Sequence, residues 1–296
     1  MCKVYDAVNQ RILELLEQGT VPWRKPWNVE AGMPKNIVSK KEYKGVNTFL
    51  LGCQSYSSAY WMTFKQAVDK GGHVKKGEKS SMVVFWKWMD RKSAVDTEDV
   101  DVLDSGTGKI PMLRYYNVFN LEQTEGIEAP VTIETKNIFT PIERAEQIVS
   151  GMPLRPDIRH GGNKASYSPM LDYVKMPEKH TFNSPEEYFG TLLHELSYTT
   201  GNEKRLARKS LMEVSGFGSH EYSKEELIAE FSSAFLCAMS GIEQKTLENS
   251  AAYIKSWLKA LKDDKKMLVM AAAQGQKAAD YILDRKEEQI ELDEAA

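Results

Sequence analysis

The stretch TLLHELSYTTG, Thr191 to Gly201, sets a histidine beside a glutamate, with a tyrosine four residues beyond the histidine. On a helix, positions i and i+4 share a face. A histidine pair at that spacing holds zinc through two imidazoles, and the glutamate next to the first acts as general base on a metal-bound water. His194 and Glu195 occupy the first-ligand and base positions, and Tyr198 stands where the second imidazole belongs. A phenol ionises at about pH 10 and must lose its proton to bind a cation well, so Tyr198 puts zinc occupancy in doubt.

Centres of this kind take a third ligand from a glutamate on the next helix, in an E-x-x-A-D/E pattern. The matching residues are Glu226, Ala229 and Glu230. The spacing aims Glu226 at the metal and leaves Glu230, one turn on, to orient His194 as its hydrogen-bond partner. Glu226 is also the third residue after Ser223 in an S-x-x-E pattern, so helix capping is the competing role. His220 is a second source of the missing imidazole.

Both helices carry start and stop signals. Ser184-Pro185-Glu186-Glu187 caps the first, with proline at the first helical position, and Gly201 ends it. The second runs from Ser223 to Gly241. A helix in TPIERAEQIVSGM precedes them, with a strand at Tyr173–Met176, and helices over about 251–261 and 265–288 follow. Upstream, an amphipathic helix covers about 3–18, and further helices are expected over about 47–56 and 63–71. Strands are expected over about 80–89 and 113–123, flanking an acidic, Ser/Gly-bearing excursion. The division is α+β in two domains: residues 1–127, a linker at 128–138, and a mainly helical domain with a small sheet over 139–296.

Charge separates the halves. Of 39 basic and 42 acidic residues, 16 and 8 fall in residues 1–92, leaving 23 and 34 beyond. A polyanion is the natural partner of the first part. Single strands are held by cationic grooves and by aromatic faces on which bases stack. PWRKPW interleaves Trp23, Arg24, Lys25 and Trp27; KKEYKG interleaves Lys40, Lys41, Tyr43 and Lys44; Lys65, Lys75, Lys76 and Lys79 add further cations. A Walker loop is excluded, because Glu78 separates Gly77 from Lys79. The three cysteines are scattered with no CxxC, and no run of eighteen apolar residues occurs, so a reducing cytoplasm without a membrane anchor is expected.

The stretches LLEQGTVPWRKPWN, YKGVN, WMTFKQA, GGHVKKGEKSSMVVFWKW and YYNVFNLEQ in the first half, with SYSPMLDYVKMP, YFGTLLHELSYTTGNEKRL and YSKEELIAEFSSAFLC in the second, resemble the ArdC-type antirestriction family of mobile genetic elements. The resemblance spans nearly the whole chain. It implies an N-terminal single-stranded DNA-binding domain joined to a C-terminal zincin-like metallopeptidase domain. The family pattern H-E-L-x-H-x-T-G-x-x-x-R-L is met by His194, Glu195, Leu196, Thr200, Gly201, Arg205 and Leu206, and Tyr198 alone departs. Three functions follow as alternatives. One is a single-stranded DNA-binding antirestriction protein with an altered metal site. The second is an active zinc peptidase using Glu195 as base, with His194, Tyr198 and Glu226 as ligands. The third is a scaffold that binds a protein partner without cutting it.

Overall fold

A computed structural model describes residues 3–23, 32–54, 56–90, 109–130, 139–212, 220–242 and 251–285. The chain divides into two units. One comprises Met1–Glu14, Glu30–Thr132 and Gln289–Ala296; the other comprises Leu15–Val29 and Ile133–Glu288. The boundary falls inside the first helix, so the described residues 15–23 belong with the second unit and the division is not continuous in sequence. The expected excursion lies largely outside the described residues, as do most of the linker and the side chain of His220.

In the first unit, α1 (Lys3–Glu17) begins the chain; α2 (Val46–Gly52) and α3 (Phe64–Asp69) flank a four-stranded sheet. Its order is β1 (Lys35–Asn36), β2 (Tyr60–Met62), β5 (Lys109–Asn120) and β4 (Ser81–Asp90), with β1 parallel to β2 and the other pairs antiparallel. A small ribbon pairs β3 (His73–Val74) with β6 (Thr124–Glu125). The YKGVN stretch has a local cause. Gly45 takes φ +60 with ψ −138, a conformation open to glycine, and starts α2. Asn47 then exchanges two 2.7 Å hydrogen bonds with the backbone of Val84 on β4. Tyr43, Leu51, Trp61, Val83 and Val118 form the core beneath.

In the second unit, β7 (Asp157–His160), β9 (Tyr173–Met176) and β8 (Ser166–Ser168) form a sheet in that order, β7 parallel and β8 antiparallel to β9. Among the described residues six helices accompany it: α4 (Pro141–Gly151), α5 (Pro185–Thr199), α6 (Lys209–Met212), α7 (His220–Ser240), α8 (Ala251–Asp263) and α9 (Met267–Ile282). Thr140 and Glu143 form a reciprocal capping box on α4. Ser184 caps α5 by accepting from the Glu187 N–H, while the Glu187 carboxylate turns to Asn183. α7 begins three residues earlier than its S-x-x-E pattern suggests. Ser223 and Glu226 are therefore interior residues one turn in, which frees Glu226 from a capping role. α7 and α9 cross closely: a Cβ on Gly275 would meet the Phe231 Cβ at 2.7 Å.

Candidate metal centre and nucleic-acid surface

α5 and α7 bring the chemistry-bearing residues together. His194 Nε2 lies 3.7 Å from Glu226 Oε1, and the Tyr198 hydroxyl donates to Glu226 Oε2. Tyr222, one turn before Glu226, is hydrogen-bonded to both Tyr198 and Glu226. Burial, and then the charge and hydrogen bond of Glu226, push the Tyr198 phenol far above its ordinary pKa. Burial also raises the Tyr222 phenol, with the charge of Glu226 next. Both phenols are thus protons held against a carboxylate.

Glu195 is buried on the next face and accepts from the backbone N–H of Tyr167 on the edge strand β8. Burial raises its carboxyl pKa, His194 opposes the shift, and Glu226 adds to it. Glu230 accepts a 2.8 Å hydrogen bond from the Tyr253 hydroxyl, which accepts in turn from the Trp23 indole at 3.2 Å. Among the described residues no three His, Cys, Asp or Glu side chains converge as a metal cage.

The TTG turn after α5 holds the two helices in register. Arg208 pairs with Glu225 at 2.8 Å, both almost fully buried, and donates to the Thr200 hydroxyl and the Ser197 carbonyl. Gly201 makes room, since a Cβ there would meet the Arg208 Nη2 at 2.9 Å. Glu225 adjoins Glu226, so this pair fixes the first turns of α7 against the end of α5. Arg205, the family-pattern arginine, forks onto Asp172 at 2.9 and 3.2 Å and also binds the Leu154 carbonyl. Burial raises the Asp172 carboxyl, but the hydrogen bonds from Arg205 and Tyr167 outweigh it and hold the group below its usual value. Tyr167, half-buried and donating to Asp172, is pushed up to about 12.

Burial corrects two expected base-stacking residues, one in each unit. Trp23 is 1% exposed and meets Phe231 and Trp257 edge-on at 5.1 and 5.9 Å. It plugs the core of the second unit, because an indole in a proline-bounded turn has more apolar area to bury than a loop can shield. Tyr43 is 6% exposed in the core of the first unit, under Phe85. Arg24, Lys25 and Trp27 lie outside the described residues. Lys40, Lys41, Lys65, Lys76 and Lys79 are exposed; Lys44 and Lys75 are half-buried, and Lys75 binds the Glu122 carbonyl. The sequence reading missed Tyr60, a half-exposed ring on β2 with Lys35 Nζ and Lys40 Nζ at 5.6 and 5.2 Å from its centroid. It also missed Tyr222. The Y-x-x-x-E spacing on α7 was the available signal for the latter.

Two family models match the chain in order: the N-terminal domain of anti-restriction factor ArdC over residues 2–119, and a zincin-like metallopeptidase over residues 143–274. Two Escherichia coli proteins named DNA primase TraC are 36% and 35% identical over 97% of this chain, which spans only 20% and 28% of their length. The uncharacterized protein y4eC of Sinorhizobium fredii is 35% identical over 94% of this chain and 91% of its own. Among solved structures, the Mn(II)-bound antirestriction ArdC protein of the R388 plasmid superposes with a TM-score of 0.75 at 35% identity, over 96% of this chain and 98% of that one. Its metal-free form gives 0.72 at 34% identity, covering 97% and 100%. The two-domain α+β chain, with its zincin-like second domain, belongs to the ArdC-type antirestriction family.

Proposed function

We propose that this ArdC-type protein of a mobile element, such as a plasmid, works in the cytoplasm by binding single-stranded DNA through its first unit. Its zincin-like domain carries an altered metal centre. The observation that carries the DNA reading is Tyr60, a partly buried ring with the ammonium groups of Lys35 and Lys40 over it at the surface of the first unit. That combination suits stacking and phosphate contact together. The exposed Lys41, Lys65, Lys76 and Lys79 supply further cations in the same unit. A cytoplasmic setting is supported by Cys53 and Cys237, buried in separate units without a disulfide between them, and by the absence of a membrane-length apolar helix among the described residues.

The altered centre is supported by Tyr198. Catalytic zinc of this class takes two neutral imidazoles and a carboxylate and keeps one position open. Here His194 and Glu226 supply one imidazole and the carboxylate, and a protonated phenol already bonds to the carboxylate. These residues do not fit that ion, so no peptidase step is assigned. Titration of the chain with fluorescent single- and double-stranded oligonucleotides across a salt series tests the DNA reading. Single-strand binding that weakens steeply with salt is expected. Absence of single-strand binding at low salt overturns it.

A further inference from the structure

The three-stranded sheet of the second unit has one face turned to the helices and one turned away. Val174 and Met176 on β9 are buried, and His160 at the end of β7 bonds to the Tyr188 hydroxyl of α5 at 3.0 Å. Side chains alternate along a strand, so Tyr173 and Lys175 lie on the opposite face. The register adds Asp157 and Arg159 from β7 and Ser166 and Ser168 from β8, each directly beside one of those two. The Arg159 guanidinium lies over the Tyr173 ring, 4.2 Å from its centroid, and its side chain is 58% exposed. The Lys175 ammonium is held against the Gly161-Gly162 turn, where a Cβ on Gly162 would meet it at 3.0 Å. We propose that this outer sheet face is a second binding surface for single-stranded nucleic acid, carried by the zincin-like unit itself.

Charge complementarity names the occupant. Beyond residue 92 acidic residues outnumber basic ones, 34 to 23, yet residues 153–180 hold five Lys or Arg against three Asp or Glu. Of those three acids, Asp172 is already paired with Arg205. Asp157 reaches Arg159 only at 3.5 Å with 78% of its side chain exposed, a surface pair that a phosphate readily displaces. A basic island in an acidic stretch of chain selects a polyanion. The ring selects nucleic acid over an acidic peptide. A guanidinium stacked on an aromatic face is already oriented, so its outer plane takes a base and its N–H groups fork onto a phosphate. The Lys175 ammonium and the serine hydroxyls of β8 supply backbone contacts on the same face. Bases of a duplex keep their faces stacked on one another, so a single strand fits best.

The experiment titrates the full chain with labelled oligothymidylate and oligouridylate across a salt series, beside a parallel titration with polyglutamate. Arg159→Gln combined with Lys175→Gln is expected to weaken binding of at least one oligonucleotide about 10-fold at low salt. The same change should lower the salt slope by about 0.7 for each charge removed, with the thermal melt unchanged. Asp157→Asn removes the competing carboxylate and is expected to tighten binding about 2–5-fold. Wild-type binding that the double substitution leaves unchanged in affinity and slope overturns this proposal and leaves the Tyr60 reading standing. Binding that depends on Arg159 and Lys175 but not on Tyr60 upholds this proposal and sinks that reading. Loss of polyglutamate binding alone assigns the face to an acidic protein and overturns the proposal as well. Absence of oligonucleotide binding at low salt sinks both.

Discussion

A phenol reaches further from its helix than an imidazole, and at position 198 that reach brings the hydroxyl onto Glu226 itself. The carboxylate is satisfied by a proton where a zincin satisfies it with a cation. Tyr198→His shortens the side chain and restores a second neutral imidazole on the same face. It is expected to tighten zinc binding by at least about 10–100-fold, read by competition with a chromophoric chelator. Asp172 offers a separate check by pH. Its folded pKa lies below the unfolded value, so its pairing with Arg205 stabilises the fold above the ordinary carboxylate range. That contribution is lost as pH falls through the lowered folded value. Asp172→Asn should therefore cost about 1–3 kcal/mol near neutrality, and the difference from wild type should shrink in acid, as read by urea melts across pH. Tyr222 shows in the sequence only as Y-x-x-x-E, a spacing any helix can carry, and its meeting with Tyr198 depends on how α5 packs on α7. Trp23 and Tyr43 were misread because an aromatic residue among lysines has the same local pattern whether it plugs a core or faces solvent; only long-range packing decides.

Helix ends and helix contacts set where these side chains meet. The cap at Ser184 and the strand Tyr173–Met176 were legible, since a capping pair and a β-rich run between turn residues are local signals. The start of α7 was not. S-x-x-E is also an ordinary i, i+3 spacing inside a helix, and what begins α7 early is its packing with α5 and the buried Arg208–Glu225 pair. Nothing in the family pattern pointed to Arg208, because its partner lies seventeen residues on. Glu225→Ala strands the guanidinium and should cost about 3–5 kcal/mol in denaturant unfolding. Gly275→Val meets Phe231 and the α7 backbone, where neither neighbour can give, and should cost at least about 1–3 kcal/mol by the same measure.

At the scale of the whole molecule, residues 1–92 carry a basic excess and the rest of the chain an acidic one. If DNA runs past Tyr60, Tyr60→Ala should weaken single-strand binding by about 1–3 kcal/mol across sequences. Lys35→Ala and Lys40→Ala should each reduce the salt slope by about 0.7 in an anisotropy titration. Neither change touches the second unit, so the zincin-like domain should melt as before. The second domain is zincin-like by family, and the proposal that Tyr198 alters its metal centre is open to direct test. Elemental analysis of the full-length chain after dialysis against zinc settles the matter most directly. The altered centre predicts well under one zinc per chain in the wild type and about one in Tyr198→His. One tightly held zinc per wild-type chain, lost on His194→Ala, would contradict it.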